Sequence, residues 1–188
     1  MTLESRLRRE AGFTLVEMMM VVLFIGILGA MATFGVLNVR QGLQGDGAMR
    51  VVMGELDGAR EMAITERRYM EISFVSPNEL QVIRHEYPNG TTVIRDVVFE
   101  AGVQYQLTSG VPDTPDAYGN DSATSFSNAT TIEFNTEGAL VDSTGNPING
   151  SVFLAIPNEP LSARAVTVQG TTGRVRAYRW NGGSWQRV

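Results

Sequence analysis

The stretch from residue 12 to residue 37, GFTLVEMMMVVLFIGILGAMATFGVL, decides the fold of this chain. Within it, Met18–Leu37 is a run of twenty residues that contains no charge and no proline. A helix of that length spans roughly 30 Å, which is the thickness of the hydrocarbon core of a bilayer. The sequence therefore predicts a membrane-spanning helix over residues 13–37, as the first part of a longer helix over residues 13–68.

The head of this stretch carries a glycine before an aromatic residue, Gly12–Phe13, and a carboxylate, Glu17. An acidic side chain in apolar surroundings is costly unless it has a partner. A cut between Gly12 and Phe13 gives Phe13 a free amine about one helical turn from Glu17. We expect Glu17 to pair with that amine, in the same copy or in a neighbouring one; the alternative is a carboxylate that stays hydrated at the membrane surface.

The residues Gly-Phe-Thr-Leu-Val-Glu at 12–17, ahead of a long apolar run, resemble the leader motif of type IV pilins and type II secretion pseudopilins. The resemblance implies that residues 1–12 are a leader peptide, which a prepilin peptidase removes by cutting between Gly12 and Phe13. It implies N-methylation of Phe13 and a role for Glu17 in registering incoming subunits. It also implies other pilin subunits and an inner-membrane assembly platform as partners.

The charges of the leader predict the orientation in the membrane. Residues 1–12 carry three arginines and two glutamates. Positive charge next to a membrane helix favours the cytoplasmic side. We therefore expect a single-pass protein of the bacterial inner membrane, with everything after Leu37 on the periplasmic side and later in a fibre.

The composition argues against catalysis. The chain has no cysteine and a single histidine, His85, which excludes a disulfide, a thiolate metal site and a catalytic Cys/His pair. Many pilins carry a disulfide near the C-terminus, and this chain departs from them. No nucleophile with a base, phosphate loop or metal cluster is evident, so the sequence predicts a structural protein without a cofactor or metal.

The helix is expected to continue beyond the membrane with one interruption. Gly42, Gly45 and Gly47 predict a bend or a locally melted turn, because each interior glycine costs roughly 1 kcal/mol relative to alanine. An apolar stripe at helical spacing then follows: Ala48, Val52, Leu56, Ala59 and Ala63. This stripe needs a sheet to cover it, and Gly54 and Gly58 are predicted to let that sheet approach closely.

From Tyr69 onward the apolar residues alternate at period two, which is typical of strands. A hairpin is predicted around Ser76–Glu79, and residues 108–130, rich in turn-forming residues, are predicted to be a long exposed loop. Further strands are predicted at 92–99, 103–107, 131–134, 151–156, 165–169 and 174–180. The sequence thus predicts an α+β fold in which a long N-terminal helix packs on an antiparallel sheet in a β-rich domain over residues 69–188.

The second half of the chain extends the resemblance. Residues 56–67, LDGAREMAITER, and Gly173-Arg174-Val175-Arg176 are similar to the minor pseudopilin H and fimbrial-T family. The resemblance implies a pilin-like fold. One departure is that no proline occurs before Pro77, so a proline kink in the membrane helix is not expected.

Arg174 and Arg176 have two interpretations. They alternate along a predicted strand and precede aromatic residues, which suits phosphate contacts and base stacking, and some fimbrial-T-like proteins bind DNA. The chain has a net charge of −5, and removal of the leader, which carries +1, leaves −6. We therefore favour pairing of these arginines with acidic groups of this chain or of a neighbouring subunit.

Oxygen ligands cluster in the predicted loop at Asp113, Asp116, Asn120 and Asp121. Calcium binds six to eight such oxygens, but the spacing fits no EF-hand, and the sequence favours a solvated loop. The function predicted from the sequence is a structural or priming subunit, a minor pilin or pseudopilin of a type IV pilus or a type II secretion pseudopilus. The alternative is a DNA-binding minor pilin that acts in DNA uptake.

Overall fold

The computed structural model describes residues 13–99, 102–127, 129 and 131–188, and over residues 32–41 it describes the backbone alone. The predicted leader, with Gly12, lies outside the described residues. The chain divides into two compact units, Met1–Asn38 and Val39–Val188. The described elements are one long helix, eleven strands and a single 3-10 turn at Gly170–Thr172, which is an α+β arrangement as predicted.

The helix α1 runs from Leu15 to Glu66 and remains helical through all three glycines at which a melted turn was predicted. The prediction of a locally melted turn is therefore wrong, and the alternative, a bend in the helix, stays a prediction. At Gly45 the reason for the glycine is packing, because a Cβ atom there would lie 2.5 Å from the backbone oxygen of Ser162. Only a residue without a side chain lets the strand come this close.

The apolar stripe of α1 is buried as predicted. Ala48, Val52, Leu56, Ala59 and Ala63 are all at most 6% exposed and belong to the main core. The predicted role of the next glycines is wrong, since a Cβ atom at Gly54 or Gly58 would have no neighbour within 4 Å. Both therefore lie away from the sheets.

Eleven strands form two antiparallel sheets, where the sequence had predicted one. The first sheet has the order β3-β2-β1-β6-β7 and the second the order β11-β10-β9-β8-β4, with β5 pairing to β8. The bounds are β1 Met70–Val75, β2 Glu79–His85, β3 Thr91–Val98, β4 Gln104–Tyr105, β5 Thr124–Ser125, β6 Ile132–Phe134, β7 Leu140–Asp142, β8 Gly150–Ile156, β9 Glu159–Gln169, β10 Arg174–Trp180 and β11 Trp185–Arg187.

The second sheet is covered on both faces, which explains why β8 and the second part of β9 are almost continuously buried. Val152 and Leu154 of β8 face the core that contains α1. Phe153, on the other face, packs with Leu107 and Trp185. We call residues 106–116, which follow β4, the lid. Within it Val111 packs on the same sheet and Thr114 is buried, so the prediction of an exposed loop over residues 108–130 is wrong for these two residues.

The strand β3 forms one edge of the first sheet and is mostly exposed along its length. Its pairing with β2 contains a register shift between Val82 and Ile83. Arg95 of β3 reaches α1, where its Nη1 atom lies 3.0 Å from an oxygen of Glu55.

In the part of the chain that the structure describes, no helical segment has both the length and the apolar character that a membrane crossing requires. The membrane span predicted over residues 13–37 therefore stays a prediction.

Candidate functional site

The head of α1 presents apolar side chains on every side. Phe13 is 76% exposed, and the large apolar side chains that follow it are exposed as far as Met31. Contiguous exposed apolar surface of this extent marks a site that another apolar surface covers. The first unit therefore offers a rod-like binding surface.

The first turn of α1 begins with an N-cap hydrogen bond from Thr14 that was not predicted from the sequence. The hydroxyl Oγ1 of Thr14 accepts a hydrogen bond from the backbone N–H of Glu17 at 3.2 Å. Thr14 and Glu17 stand at the N-cap and N3 positions, the spacing of a capping box. The pattern Thr-x-x-Glu at residues 14–17 is visible in the sequence. It places the Glu17 carboxylate in the first turn of α1, where the positive end of the helix dipole stabilises it.

Phe13 and Glu17 are both exposed at this end of α1. Because Gly12 lies outside the described residues, the cleavage site at Gly12–Phe13 and methylation of Phe13 stay predictions. The pairing of Glu17 with a free Phe13 amine stays a prediction as well.

Arg176 is held by an acidic residue of the same chain. Its Nη1 atom donates to an oxygen of Asp116, in the lid over the second sheet. The other oxygen of Asp116 accepts hydrogen bonds from the hydroxyl groups of Thr167 at 2.7 Å and Tyr178 at 2.8 Å. Asp116 therefore fastens the lid to β9 and β10.

The environment of Asp116 stabilises its charged form. Burial by itself raises the pKa of this carboxyl, but the hydrogen bonds from Thr167 and Tyr178 and the charge of Arg176 outweigh it, so the pKa is lowered. The lid is thus fastened most firmly above the ordinary pKa of an aspartate, and the contribution of Asp116 is lost as the pH falls through its lowered pKa.

The aromatic side chains near the C-terminus make contacts within the domain. Tyr178 and Trp180 are buried, and the indole N–H of Trp185 donates to the backbone oxygen of Pro112 at 2.8 Å. Arg174, at the start of β10, is exposed. The geometry brings Arg176 to an internal acid, as one of the two interpretations had it, and DNA binding by Arg174 and Arg176 stays a prediction.

The oxygen-rich loop uses its carboxylates internally. Asp113 accepts hydrogen bonds from the backbone N–H groups of Thr114 at 2.6 Å and Gly119 at 2.9 Å. Among the described residues, no group of three or more His, Cys, Asp or Glu side chains is arranged to hold a metal ion.

A second charged cluster, which we call the Asp46 clamp, joins α1 to the second sheet through Asp46, Arg164 and Arg179. Arg164 Nε lies 2.6 Å from Asp46 Oδ1, and Arg179 Nη2 lies 2.5 Å from Asp46 Oδ2. The side chain of Arg164 is only 2% exposed, and its Nη2 atom also donates to the backbone oxygen of Gly42 at 2.8 Å. No local pattern in the sequence predicts this cluster, because Asp46 lies more than a hundred residues before both arginines.

Comparison with known proteins found similar structures but no match by sequence. No family model matches the chain, and no curated protein matches it by sequence. The type IV minor pilin FimU of Pseudomonas aeruginosa is similar in structure, with a TM-score of 0.50 and 13% identity, over 75% of this chain and 91% of that one. The minor pseudopilin EpsH of the Vibrio cholerae type 2 secretion system gives a TM-score of 0.48 and 16% identity, over 75% and 99% of the two chains.

The structural likeness to FimU extends over three quarters of this chain. It agrees with the long helix and the antiparallel sheets described above and with the resemblance that the leader motif carried. At this level of identity the likeness establishes the architecture. The chain has a pilin-like fold.

Proposed function

We propose that this chain is a structural subunit, a minor pilin or pseudopilin, of a type IV pilus or of a type II secretion pseudopilus, and that it has no enzymatic activity. The observation that carries the proposal is a pilin-like fold whose helix begins with an uncovered apolar segment directly after Gly12–Phe13. An apolar rod attached to a folded domain suits insertion first into a membrane and then among the rods of neighbouring subunits.

The proposed maturation begins in the inner membrane. The run Met18–Leu37 crosses the bilayer, and the domain after it lies on the periplasmic side. A prepilin peptidase cuts between Gly12 and Phe13, and the new amine of Phe13 is methylated. Subunits are then drawn into the fibre by an assembly platform. In this environment the Phe13 amine attracts a nearby Glu17 much more strongly than in water.

The test of the proposal is the mass of the chain isolated from the membranes of its own host. We expect a protein that begins at a methylated Phe13, and a Gly12→Val variant that keeps its leader, because the bulkier side chain blocks access to the bond to be cut. Ala11→Val, one position further from that bond, is the matched control and should be processed. An intact leader on the unmodified chain would contradict the proposal.

Glu17 has two roles, its N3 position in the first turn and the proposed pairing with Phe13, and two variants separate them. Glu17→Gln removes the charge but keeps a residue that suits a capping box. Thr14→Ala keeps the charge and removes the cap, at a cost of about 1 kcal/mol. We expect Glu17→Gln to lower incorporation into fibres about tenfold or more while the leader is still removed, and Thr14→Ala to have a small effect. Equal incorporation of Glu17→Gln and the unmodified chain, measured in sheared fibre fractions, would refute the pairing.

A further inference from the structure

Two glutamates lie opposite each other on the first sheet, on the face turned away from the core. Glu71 of β1 and Glu133 of β6 are paired in register, and the residues on either side of each glutamate are buried. The side chain of Glu133 is 13% exposed and that of Glu71 is 26% exposed. Like charges directly opposite each other on neighbouring strands destabilise a sheet. The pair therefore weakens the first sheet unless a cation lies beside it.

The cation beside this pair is His85, the single histidine of the chain. His85 is the last residue of β2, and its Nε2 atom lies 3.1 Å from an oxygen of Glu71 and 3.6 Å from an oxygen of Glu133. Among the described residues, neither glutamate has an ion-pair contact with another side chain. We call His85, Glu71 and Glu133 the His85 clip.

The arginines near the His85 clip are engaged by other acidic groups. Arg68 donates to the backbone oxygen of His85, and its guanidinium pairs with Glu86. Arg84 pairs with Glu86 and with Glu66, the last residue of α1. The charge that faces the two glutamates of the clip therefore depends on the imidazole.

The remaining neighbours of the clip are a ring and a further carboxylate. The ring centroid of Tyr69 lies 6.5 Å from that of His85, and the charge of Asp142 in β7 acts on Glu133. Burial raises the pKa of Glu133, His85 works against this shift, and the charges of Glu71 and Asp142 add to it. A carboxyl group whose pKa is raised by folding contributes stability at low pH, and this contribution is lost as the pH rises through the raised pKa.

The charge of His85 changes with pH in the same direction. Histidine loses its positive charge between about pH 5 and pH 8. A neutral imidazole can still donate one hydrogen bond to Glu71, but it no longer offsets the repulsion between Glu71 and Glu133. Deprotonation of His85 and ionisation of Glu133 therefore both weaken the contact between β1 and β6 as the pH rises.

The contact between β1 and β6 is short, so a single charged cluster acts on most of it. The strand β2 pairs with β1 along its whole length, from Met70 to Val75, whereas β6 pairs with it from Met70 to Ile72. The middle pair of this short contact is Glu71 with Glu133. Through it the β6–β7 hairpin joins the other three strands of the first sheet.

We propose that the His85 clip is a pH-dependent switch in the first sheet. With His85 protonated, the clip holds the β6–β7 hairpin to β1, and as the pH rises it lets the hairpin loosen. Its direction is opposite to that of Asp116, whose contribution to the lid is lost as the pH falls. The two sheets of the domain thus respond to pH in opposite directions.

Hydrogen exchange of backbone amides, measured by mass spectrometry on the full chain in detergent, reports the local opening of each strand. Protection factors, corrected for the intrinsic exchange rate, are compared at about pH 6 and about pH 8, where histidine changes its charge. The strands β9 and β10 are the internal reference, because the lowered pKa of Asp116 keeps its contacts with them unchanged over this range. We expect the protection of β6 and β7 relative to this reference to fall about tenfold, which corresponds to about 1.4 kcal/mol.

Three variants assign the effect to the clip. His85→Gln keeps a hydrogen-bond donor but no titrating charge, so β6 and β7 should be weakly protected at both pH values. Glu133→Gln removes the repulsion, so their protection should stay high at both. Glu137→Gln changes an exposed carboxylate in the turn of the same hairpin. It is the matched control and should show the tenfold fall of the unmodified chain.

The unmodified chain and the first two variants each have a result that would overturn the switch. Equal relative protection of the unmodified chain at both pH values would show that His85 has a packing role alone. A His85→Gln variant that keeps the full pH dependence would assign the titration to another group. A Glu133→Gln variant that keeps it would show that repulsion between the two glutamates does not drive the loosening.

Discussion

Replacement of Asp46 by alanine is expected to destabilise the domain by about 3–5 kcal/mol, because it leaves the buried guanidinium of Arg164 without a counter-charge. Burial lowers the pKa of Arg164, and Asp46, by hydrogen bond and by charge, works against that shift. Without Asp46, the described residues leave backbone oxygens, among them those of Leu161 and Gly42, to solvate the cation.

The measurement is urea unfolding of the full chain in detergent, followed by tryptophan fluorescence. Trp180 is buried, and its ring centroid lies 5.5 Å from that of Trp185, so both indoles report on the second sheet. A loss of 3–5 kcal/mol corresponds to a decrease of roughly 10 °C or more in the thermal midpoint of a domain of this size.

Two matched variants make the result specific to the clamp. Arg179, the other partner of Asp46, has a side chain that is 44% exposed. Arg179→Met should therefore lower the free energy of unfolding by at most about 1 kcal/mol. In Arg164→Met/Asp46→Ala the buried charge is gone, so the double variant should be more stable than Asp46→Ala alone. A double variant that is no more stable than Asp46→Ala would contradict the uncompensated-charge explanation.

The second large effect concerns two neighbouring glycines of α1, at which replacement by alanine is expected to change the free energy of unfolding in opposite directions. Gly45→Ala places its Cβ 2.5 Å from the backbone oxygen of Ser162, so the helix and β9 must separate. We expect a loss of about 1–3 kcal/mol from overpacking. Gly47→Ala meets nothing within 4 Å and should gain about 0.5–1 kcal/mol from helix propensity.

The same unfolding experiment measures both glycine variants, and the two should differ by about 2–4 kcal/mol. Helix propensity alone predicts that both are stabilised, so the sign at Gly45 separates packing from propensity. If Gly45→Ala were as stable as Gly47→Ala, the close approach of β9 to α1 would be refuted.

Sequence patterns correctly predicted those helices and turns that are determined by residues close together in the chain. The spacing of Leu56 among its apolar neighbours indicated the buried face of α1, and the turn at Ser76–Glu79 indicated the first hairpin. The strands β5, β7 and β11 were missed, because each has only two or three residues and lies among turn-forming residues. The equally short β6 was predicted because its residues, Ile-Glu-Phe, alternate between apolar and polar.

The features that sequence reasoning did not predict depend on distant partners. Asp116 acquires its role only when Arg176, sixty positions later, comes beside it. The division into two sheets depends on pairings between strands far apart in the sequence, such as β1 with β6. A window of ten residues also does not distinguish a strand covered on both faces from other buried segments. At the head of α1, by contrast, the N-cap role of Thr14 could have been predicted from the nearby residues Thr14 and Glu17 alone.

The exposed edge strand β3 has a consequence for how this protein behaves when many copies are crowded together. Open strand edges recruit other edges and start aggregation, and natural sheets prevent this with charges and irregular twist. In β3, Arg95 is fastened to α1, Asp96 adds an opposite charge, and the register shift beside Ile83 disturbs the straight edge. At high local concentration, these features therefore protect the chain against aggregation through this edge of the first sheet.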